Sequence, residues 1–100
     1  MKPESVFRLR VTKFLKTLPH TAFFPIQQMA ISGTPDFLLC IRGQFVALEL
    51  KSEKGGLSAL QKYNLDLIAK HGGKVIVSFP STWEVDKELL LSYTKGWMDD

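Results

Sequence analysis

Two short apolar runs on either side of Arg42-Gly43 constrain the fold more than any other feature of the sequence. The runs Phe37–Ile41 and Phe45–Leu50 are rich in residues that favour strands, and a two-residue connection between such runs predicts an antiparallel β-hairpin. Apolar residues stand at both odd and even positions of each run. Both strands of the hairpin are therefore expected to be covered on both faces.

The residues before the hairpin predict a helix and an extended segment. Apolar residues recur at helical spacing from about residue 3 to residue 18, with Pro3 in the first turn and Pro19 beyond the last turn. Residues 22–28 are predicted to form an irregular strand or extended segment, because Pro25 interrupts regular pairing.

The residues after the hairpin predict two helices with a strand between them. The expected bounds are about 58–71 for the first helix, 74–79 for the strand and 81–94 for the last helix. Ser81 and Glu84 stand at capping-box spacing at the start of the last helix. The order α, β, β, β, α, β, α predicts an α/β fold with a mixed sheet flanked by helices.

The composition is typical of one globular domain, here assigned to residues 1–100. Hydrophobic residues make up 45% and charged residues 23% of the chain, and no apolar run reaches the ~20 residues that a membrane helix needs. The first residues lack the apolar stretch of a signal peptide. Cys40 is the only cysteine, which excludes an internal disulfide, and its place within a strand predicts a buried side chain. We expect a soluble, cytoplasmic protein with no membrane partner; its net charge of +3 permits a polyanionic partner.

The open end of the hairpin brings three ionisable side chains together. With a two-residue turn, paired residues have numbers that sum to 85, so Asp36 lies opposite Glu49 with Cβ atoms about 5 Å apart. Lys51 shares their face by strand alternation, whereas Leu50 points into the core. A slip of one residue in the register would separate the carboxylates.

This arrangement predicts a metal site with hydrolytic chemistry. Two adjacent carboxylates repel each other, and a divalent cation removes the repulsion. Oxygen ligands suit Mg²⁺ or Mn²⁺, and the backbone carbonyl of Leu50 could supply a further ligand beside Asp36 and Glu49. Lys51 could orient or deprotonate an attacking water, or offset charge in the transition state. Together these groups predict metal-assisted hydrolysis of phosphodiesters.

The same residues resemble the signature of the PD-(D/E)XK nuclease superfamily, in which Pro35-Asp36 is followed by Glu49-Leu50-Lys51. Further stretches are similar to the VRR-NUC family within that superfamily, and the resemblance covers about residues 4 to 79. These further stretches are Glu4 in the first helix, Gly33 before the Pro-Asp pair, Gly56–Gln61 after the lysine, and Leu67–Val77 downstream.

The resemblance implies the restriction-endonuclease-like core fold and a site of five residues. It implies metal ligation by Asp36 and Glu49, catalysis by Lys51, and supporting roles for Glu4 and Gln61. Stand-alone members of this minimal size resemble dimeric enzymes that cut branched DNA such as four-way junctions. A homodimer is also reasonable physically, because two active sites are needed to cut two strands symmetrically.

Each candidate residue also has a structural interpretation. Asp36 could begin a turn, and Glu49 and Lys51 could form an exposed pair on an edge strand. Gln61 could close a capping box at the start of its helix, and Glu4 could interact favourably with the helix dipole.

Lys54 and the two tryptophans are weaker candidates. Lys54, in a loop with Gly55-Gly56, is predicted either to contact phosphate or to be solvated. Trp83 and Trp97 could stack on bases or cover a dimer contact, although core packing is favoured for Trp83.

Three alternatives to a junction-cutting endonuclease remain open from the sequence. The chain could be an exonuclease or nicking nuclease that acts on ordinary DNA. It could be a catalytically silent DNA-binding or assembly module. It could also be a structural protein that binds a metal for stability, which would raise its melting temperature without any cleavage.

Overall fold

The structure is a computed structural model that describes residues 2–26 and 32–96, and these residues form three helices and four strands. The element order matches the prediction. Trp97 and residues 27–28 of the expected extended segment lie outside the described residues. The elements are α1 (Pro3–Leu15), β1 (Thr21–Pro25), β2 (Phe37–Ile41), β3 (Gln44–Leu50), α2 (Ala59–Lys70), β4 (Lys74–Ser78) and α3 (Trp83–Tyr93).

The four described strands form one mixed sheet in the order β1-β2-β3-β4, as expected for an α/β fold. The first three strands are antiparallel, and β4 runs parallel to β3. Of the helices in the described residues, none is long and apolar enough to cross a membrane.

The turn between β2 and β3 has the geometry that fixes the predicted register. Arg42 and Gly43 have φ angles of 49° and 82°, and positive φ at both central residues matches the twist of a two-residue hairpin. Phe37 pairs with Leu48, and Ile41 pairs with Gln44, so paired numbers sum to 85 as predicted. The register also places Asp36, just before β2, opposite Glu49.

The main core lies between one face of the sheet and the helices α1 and α3. Trp83 at the start of α3 is 1% exposed, and its ring packs edge-on against Phe7 and Phe14 of α1. This confirms the expected core position of Trp83. Leu50 packs against the same core, as predicted. The other members of the core are contributed by α1 and its C-terminal turn (Val11, Leu15, Leu18), by the strands (Phe37, Leu39, Ile41, Val46, Leu48, Ile76) and by α3 (Leu90).

The opposite face of the sheet is covered unevenly, so two predictions were wrong. In β3 the residues from Val46 to Glu49 are all buried, but in β2 Cys40 is exposed. Within the described part of the chain, α2 is the helix on this face, and it packs beside β3 and β4. Phe24 and Phe45 consequently remain 61% and 48% exposed. The expectation of two covered faces therefore fails for β2, and with it the expected burial of Cys40.

The C-terminal boundary of the first helix also differs from the prediction. The first helix ends at Leu15 rather than Leu18, because the amides of Thr17 and Leu18 bond to carbonyls three residues earlier and form a tighter turn. Pro19 disfavours helical geometry at the residue before it. Leu18 is still buried after the turn.

The predicted capping box at Ser81 and Glu84 was wrong. Thr82 is the N-cap of α3, one residue later than expected. The Ser81 hydroxyl instead donates a hydrogen bond of 2.7 Å to Glu53, in the loop after β3. Local spacing predicted that Ser81 caps the helix, but its side chain instead bonds to a residue that is distant in the sequence.

The loop that leads into Asp36 requires glycine at residue 33. Gly33 has a φ of 79°, and its carbonyl accepts a hydrogen bond of 2.9 Å from the side-chain amide of Asn64 on α2. A Cβ atom at this position would lie 2.6 Å from Cγ of Leu60. Gly33 therefore permits the close approach of the loop to α2.

Alanine substitutions at three glycines separate backbone strain from crowding. Gly33→Ala meets both a positive φ and the Leu60 side chain, so it should lower the free energy of unfolding by about 2–4 kcal/mol. Gly43 has a φ of 82° but nothing within 4 Å of the added Cβ, so Gly43→Ala should cost only about 1–2 kcal/mol. Gly56 has neither a positive φ nor an atom close to the added Cβ, so Gly56→Ala should change stability by less than about 0.5 kcal/mol. Urea unfolding measures all three; equal losses at Gly33 and Gly43 would show that the contact with α2 is unimportant.

Candidate active site

The carboxylates of Asp36 and Glu49 are each fixed by a hydrogen bond from the backbone beside the other. The amide of Asp36 donates a hydrogen bond of 3.1 Å to Oε1 of Glu49, and the amide of Leu50 donates one of 2.8 Å to Oδ2 of Asp36. The carbonyl of Asp36 in turn accepts from the amide of Ile26, just after β1. One oxygen of each carboxylate is therefore fixed by the main chain, in the arrangement that the hairpin register predicted.

The second oxygen of each carboxylate faces a cation. Oδ1 of Asp36 lies 2.9 Å from Nη1 of Arg8 on α1. Oε2 of Glu49 lies 3.4 Å from Nζ of Lys51. Because Glu49 is 3% exposed, the interpretation of Glu49 and Lys51 as an exposed edge-strand pair is wrong.

Gln61 closes the predicted capping box and also contacts two of the candidate site residues. As the third residue of α2, it closes a capping box with Ser58: its amide donates to the Ser58 hydroxyl, and its Oε1 accepts from the Ser58 amide. The same Oε1 accepts a hydrogen bond of 2.9 Å from Lys51, while Nε2 donates one of 2.9 Å to Oε2 of Glu49. The side chain that caps the helix therefore also orients the lysine and the buried carboxylate.

The surroundings of Glu49 make its ionised form costly. Burial is the main cause, followed by the charge of Asp36 and a hydrogen bond with it, and together they raise the pKa of Glu49 from 4.5 to about 7. Lys51 opposes this rise without cancelling it. A further positive charge between the two carboxylates would stabilise the ionised form.

A cleft of about 710 Å³ opens in front of these groups. Asp36 and Lys51 line it from the sheet, and Glu4 and Arg8 line it from α1. Lys54 lies in the loop that forms another wall. The structure thus brings the predicted residues Glu4 and Lys54 to the same cleft as Asp36 and Lys51, whereas Glu49 and Gln61 are not among the residues that line it.

The donor set suits a hard divalent cation. Among residues 2–26 and 32–96 there is no group of three His, Cys, Asp or Glu side chains that could hold a metal. The ligands predicted from the sequence are Asp36, Glu49 and the carbonyl of Leu50, whose amide is bound to Asp36. Water or phosphate would complete the shell, which is the way Mg²⁺ is usually bound by few carboxylates. The residues present fit such an ion.

Arg8 is the site residue that the sequence did not identify. In the sequence, Arg8 stands next to the apolar positions of α1 but outside them, and that placement does not mark it as a site residue. In the structure its guanidinium lies 4.8 Å from the centre of the Phe37 ring and pairs with Asp36. The pairing joins residues 28 apart in the chain. Its position one turn after Glu4, on the same side of α1, was the only local signal available.

No protein-family model matches the chain, and no match was found among curated proteins or solved structures. Membership of the VRR-NUC family accordingly stays a prediction from the motifs.

The raised pKa of Glu49 predicts a pH dependence of stability in metal-free protein. The folded state binds the proton more tightly than the unfolded chain, with a pKa of about 7 against 4.5. The proton on Glu49 therefore stabilises the folded state, and this stabilisation is complete at a pH below the unfolded pKa. It is lost as the pH rises through 7, and the loss is at most about 3 kcal/mol. Glu49→Gln cannot ionise, so its stability relative to wild type should increase between about pH 5 and pH 8. Urea unfolding in EDTA tests this, and parallel pH profiles for the two proteins would contradict it.

Proposed function

We propose that this chain is a Mg²⁺- or Mn²⁺-dependent deoxyribonuclease with a PD-(D/E)XK core, similar to the VRR-NUC family. The observation that carries the proposal is the joint placement of Asp36, Glu49 and Lys51 at the end of one hairpin. Their side chains converge beside a cleft that also has basic residues on its walls. This combination suits the binding of a phosphodiester next to a cation.

Each side chain has a distinct role in the proposed reaction. A divalent cation held by Asp36 and Glu49 would polarise the phosphate and favour ionisation of water. Lys51 lines the cleft with its ammonium group anchored to Gln61 and Glu49, so it is positioned to orient the attacking water or to offset negative charge in the transition state. Glu4, which also lines the cleft, would order water close to the cation.

The substrate in this proposal is DNA, and specifically branched DNA such as a four-way junction. Lys51, Lys54 and Arg8 line the cleft beside the acidic Glu4, Asp36 and Glu53, and these three cations are the groups that would contact a phosphate backbone. We further propose that the enzyme acts as a homodimer, because symmetric cutting of two strands needs two sites. Molar mass from light scattering tests the dimer, and a monomer at working concentration would contradict it.

Cleavage of a labelled four-way junction and of a linear duplex with matching sequence tests the activity. We expect cleavage with Mg²⁺ or Mn²⁺ and none with EDTA, with symmetric cuts in the junction. Equal cleavage of both substrates would support a nuclease on ordinary DNA. Tight binding without cleavage would support the silent DNA-binding module.

Two substitutions test the assignment of the site. Lys51→Ala and Asp36→Ala should each lower the cleavage rate by about 10²-fold or more while the protein stays folded. Lys62→Ala, an exposed lysine on α2, is the matched control and should cleave like wild type. Lys54→Ala should weaken DNA binding more than it slows the bound reaction. Cleavage retained by both Lys51→Ala and Asp36→Ala would disprove the site.

A further pair of variants separates the two roles of Gln61. Ser58→Ala removes only the cap and should lower stability by about 1 kcal/mol. Gln61→Ala removes the cap and the contacts to Lys51 and Glu49, so it should also reduce cleavage by about tenfold or more. Both variants are compared by urea unfolding and by cleavage rate at saturating metal. Equal rates would show that Gln61 serves the helix alone.

A further inference from the structure

The ion pair between Arg8 and Asp36 involves the carboxylate oxygen of Asp36 that the Leu50 amide leaves free for other ligands. Oδ2 of Asp36 is bound to the amide of Leu50, so Oδ1 is the oxygen that faces outward. Arg8 donates to that oxygen at 2.9 Å. A cation that binds Asp36 through Oδ1 would share this oxygen with the guanidinium of Arg8, and the repulsion between the two charges weakens the binding of both.

The charges of the site lead to the same conclusion. Two carboxylates, Asp36 and Glu49, are paired with two cationic side chains, Arg8 and Lys51. A divalent cation held by the two carboxylates adds positive charge beside Arg8, and repulsion between the ion and the guanidinium favours their separation. An anion in the cleft would offset this added charge. In the proposed function, the phosphate of DNA is that anion.

The exposure and the surroundings of the Arg8 side chain suit this exchange of partners. Its side chain is 39% exposed and lines the cleft, so the guanidinium needs no buried path to reach a ligand. The Phe37 ring, 4.8 Å from the guanidinium carbon, supports the group after the carboxylate has been released. A guanidinium also matches the paired oxygens of a phosphate as well as those of a carboxylate.

We propose that Arg8 is a substrate-binding residue that holds Asp36 in the metal-free site and transfers to a non-bridging phosphate oxygen of DNA when a divalent cation takes Asp36. This inference rests on the proposed nuclease function and adds an order to its assembly. The metal and DNA then bind cooperatively, because each stabilises the arrangement that the other requires.

Metal affinity without DNA is the first measurement. Titration calorimetry with Mn²⁺ compares wild type, Arg8→Ala and Arg10→Ala. Arg10 is the matched control, since it lies on the same helix and its nearest carboxylate is Glu84 at 3.8 Å. Removing the competing guanidinium should tighten Mn²⁺ binding by about threefold or more in Arg8→Ala, with little change in Arg10→Ala. Asp36→Asn should lose the binding in any background.

DNA affinity in Ca²⁺ is the second measurement, with fluorescence anisotropy of a labelled four-way junction and a check that the DNA stays intact. Arg8→Ala should bind the junction about tenfold more weakly than wild type in Ca²⁺. The gain in DNA affinity on adding Ca²⁺ should also be smaller in Arg8→Ala than in wild type or Arg10→Ala. Opposite changes in metal and DNA affinity are the specific result of partner exchange, since simple loss of structure would weaken both.

The outcomes separate this inference from the proposed function. If wild type binds Mn²⁺ and Arg8→Ala binds it with equal affinity, the exchange is disproved and the nuclease proposal stands. If neither wild type nor Arg8→Ala binds Mn²⁺, and Ca²⁺ does not raise the DNA affinity of either protein, both are disproved. If Arg8→Ala does not fold, Arg8→Gln is measured in the same two assays, because it keeps a hydrogen-bond donor to Asp36 but removes the charge.

Discussion

Asp36 and Glu49 share a site only because β2 and β3 pair in one register. The two-residue turn at Arg42-Gly43 sets that register. In the resulting alignment each carboxylate accepts a hydrogen bond from the backbone beside the other. A shift of one residue would turn the side chains to opposite faces and remove both bonds. The other groups of the site are arranged around this pair.

Two helices complete the site from opposite sides of the sheet. Arg8 comes from α1, on the side of the main core, and Gln61 comes from α2, on the other side. Each contacts one of the two carboxylates, and Gln61 also anchors Lys51. Burial, and then the charge of Asp36, raise the pKa of Glu49; Lys51 opposes this rise, and Gln61 of α2 holds Lys51 in place.

Local patterns in the sequence predicted the hairpin, the convergence of the acids and Lys51, and the capping box of α2, because each depends on residues close in sequence or on strand alternation. Three features depended on distant packing. The Arg8–Asp36 pair joins two elements far apart in the chain, and exposure of Cys40 follows from the limited reach of α2 over the sheet. Local spacing predicted Ser81 as a helix cap, but its hydroxyl donates a hydrogen bond to Glu53 in another loop.

Gln61 both caps α2 and contacts the site, so the order of the site depends on the end turn of that helix. End turns open more readily than the helix interior, without unfolding of the whole protein. When the first turn of α2 frays, the Gln61 side chain leaves Ser58, Lys51 and Glu49 in one event. Opening of that turn would therefore loosen the contacts of Lys51 and Glu49 together, while the sheet stays folded.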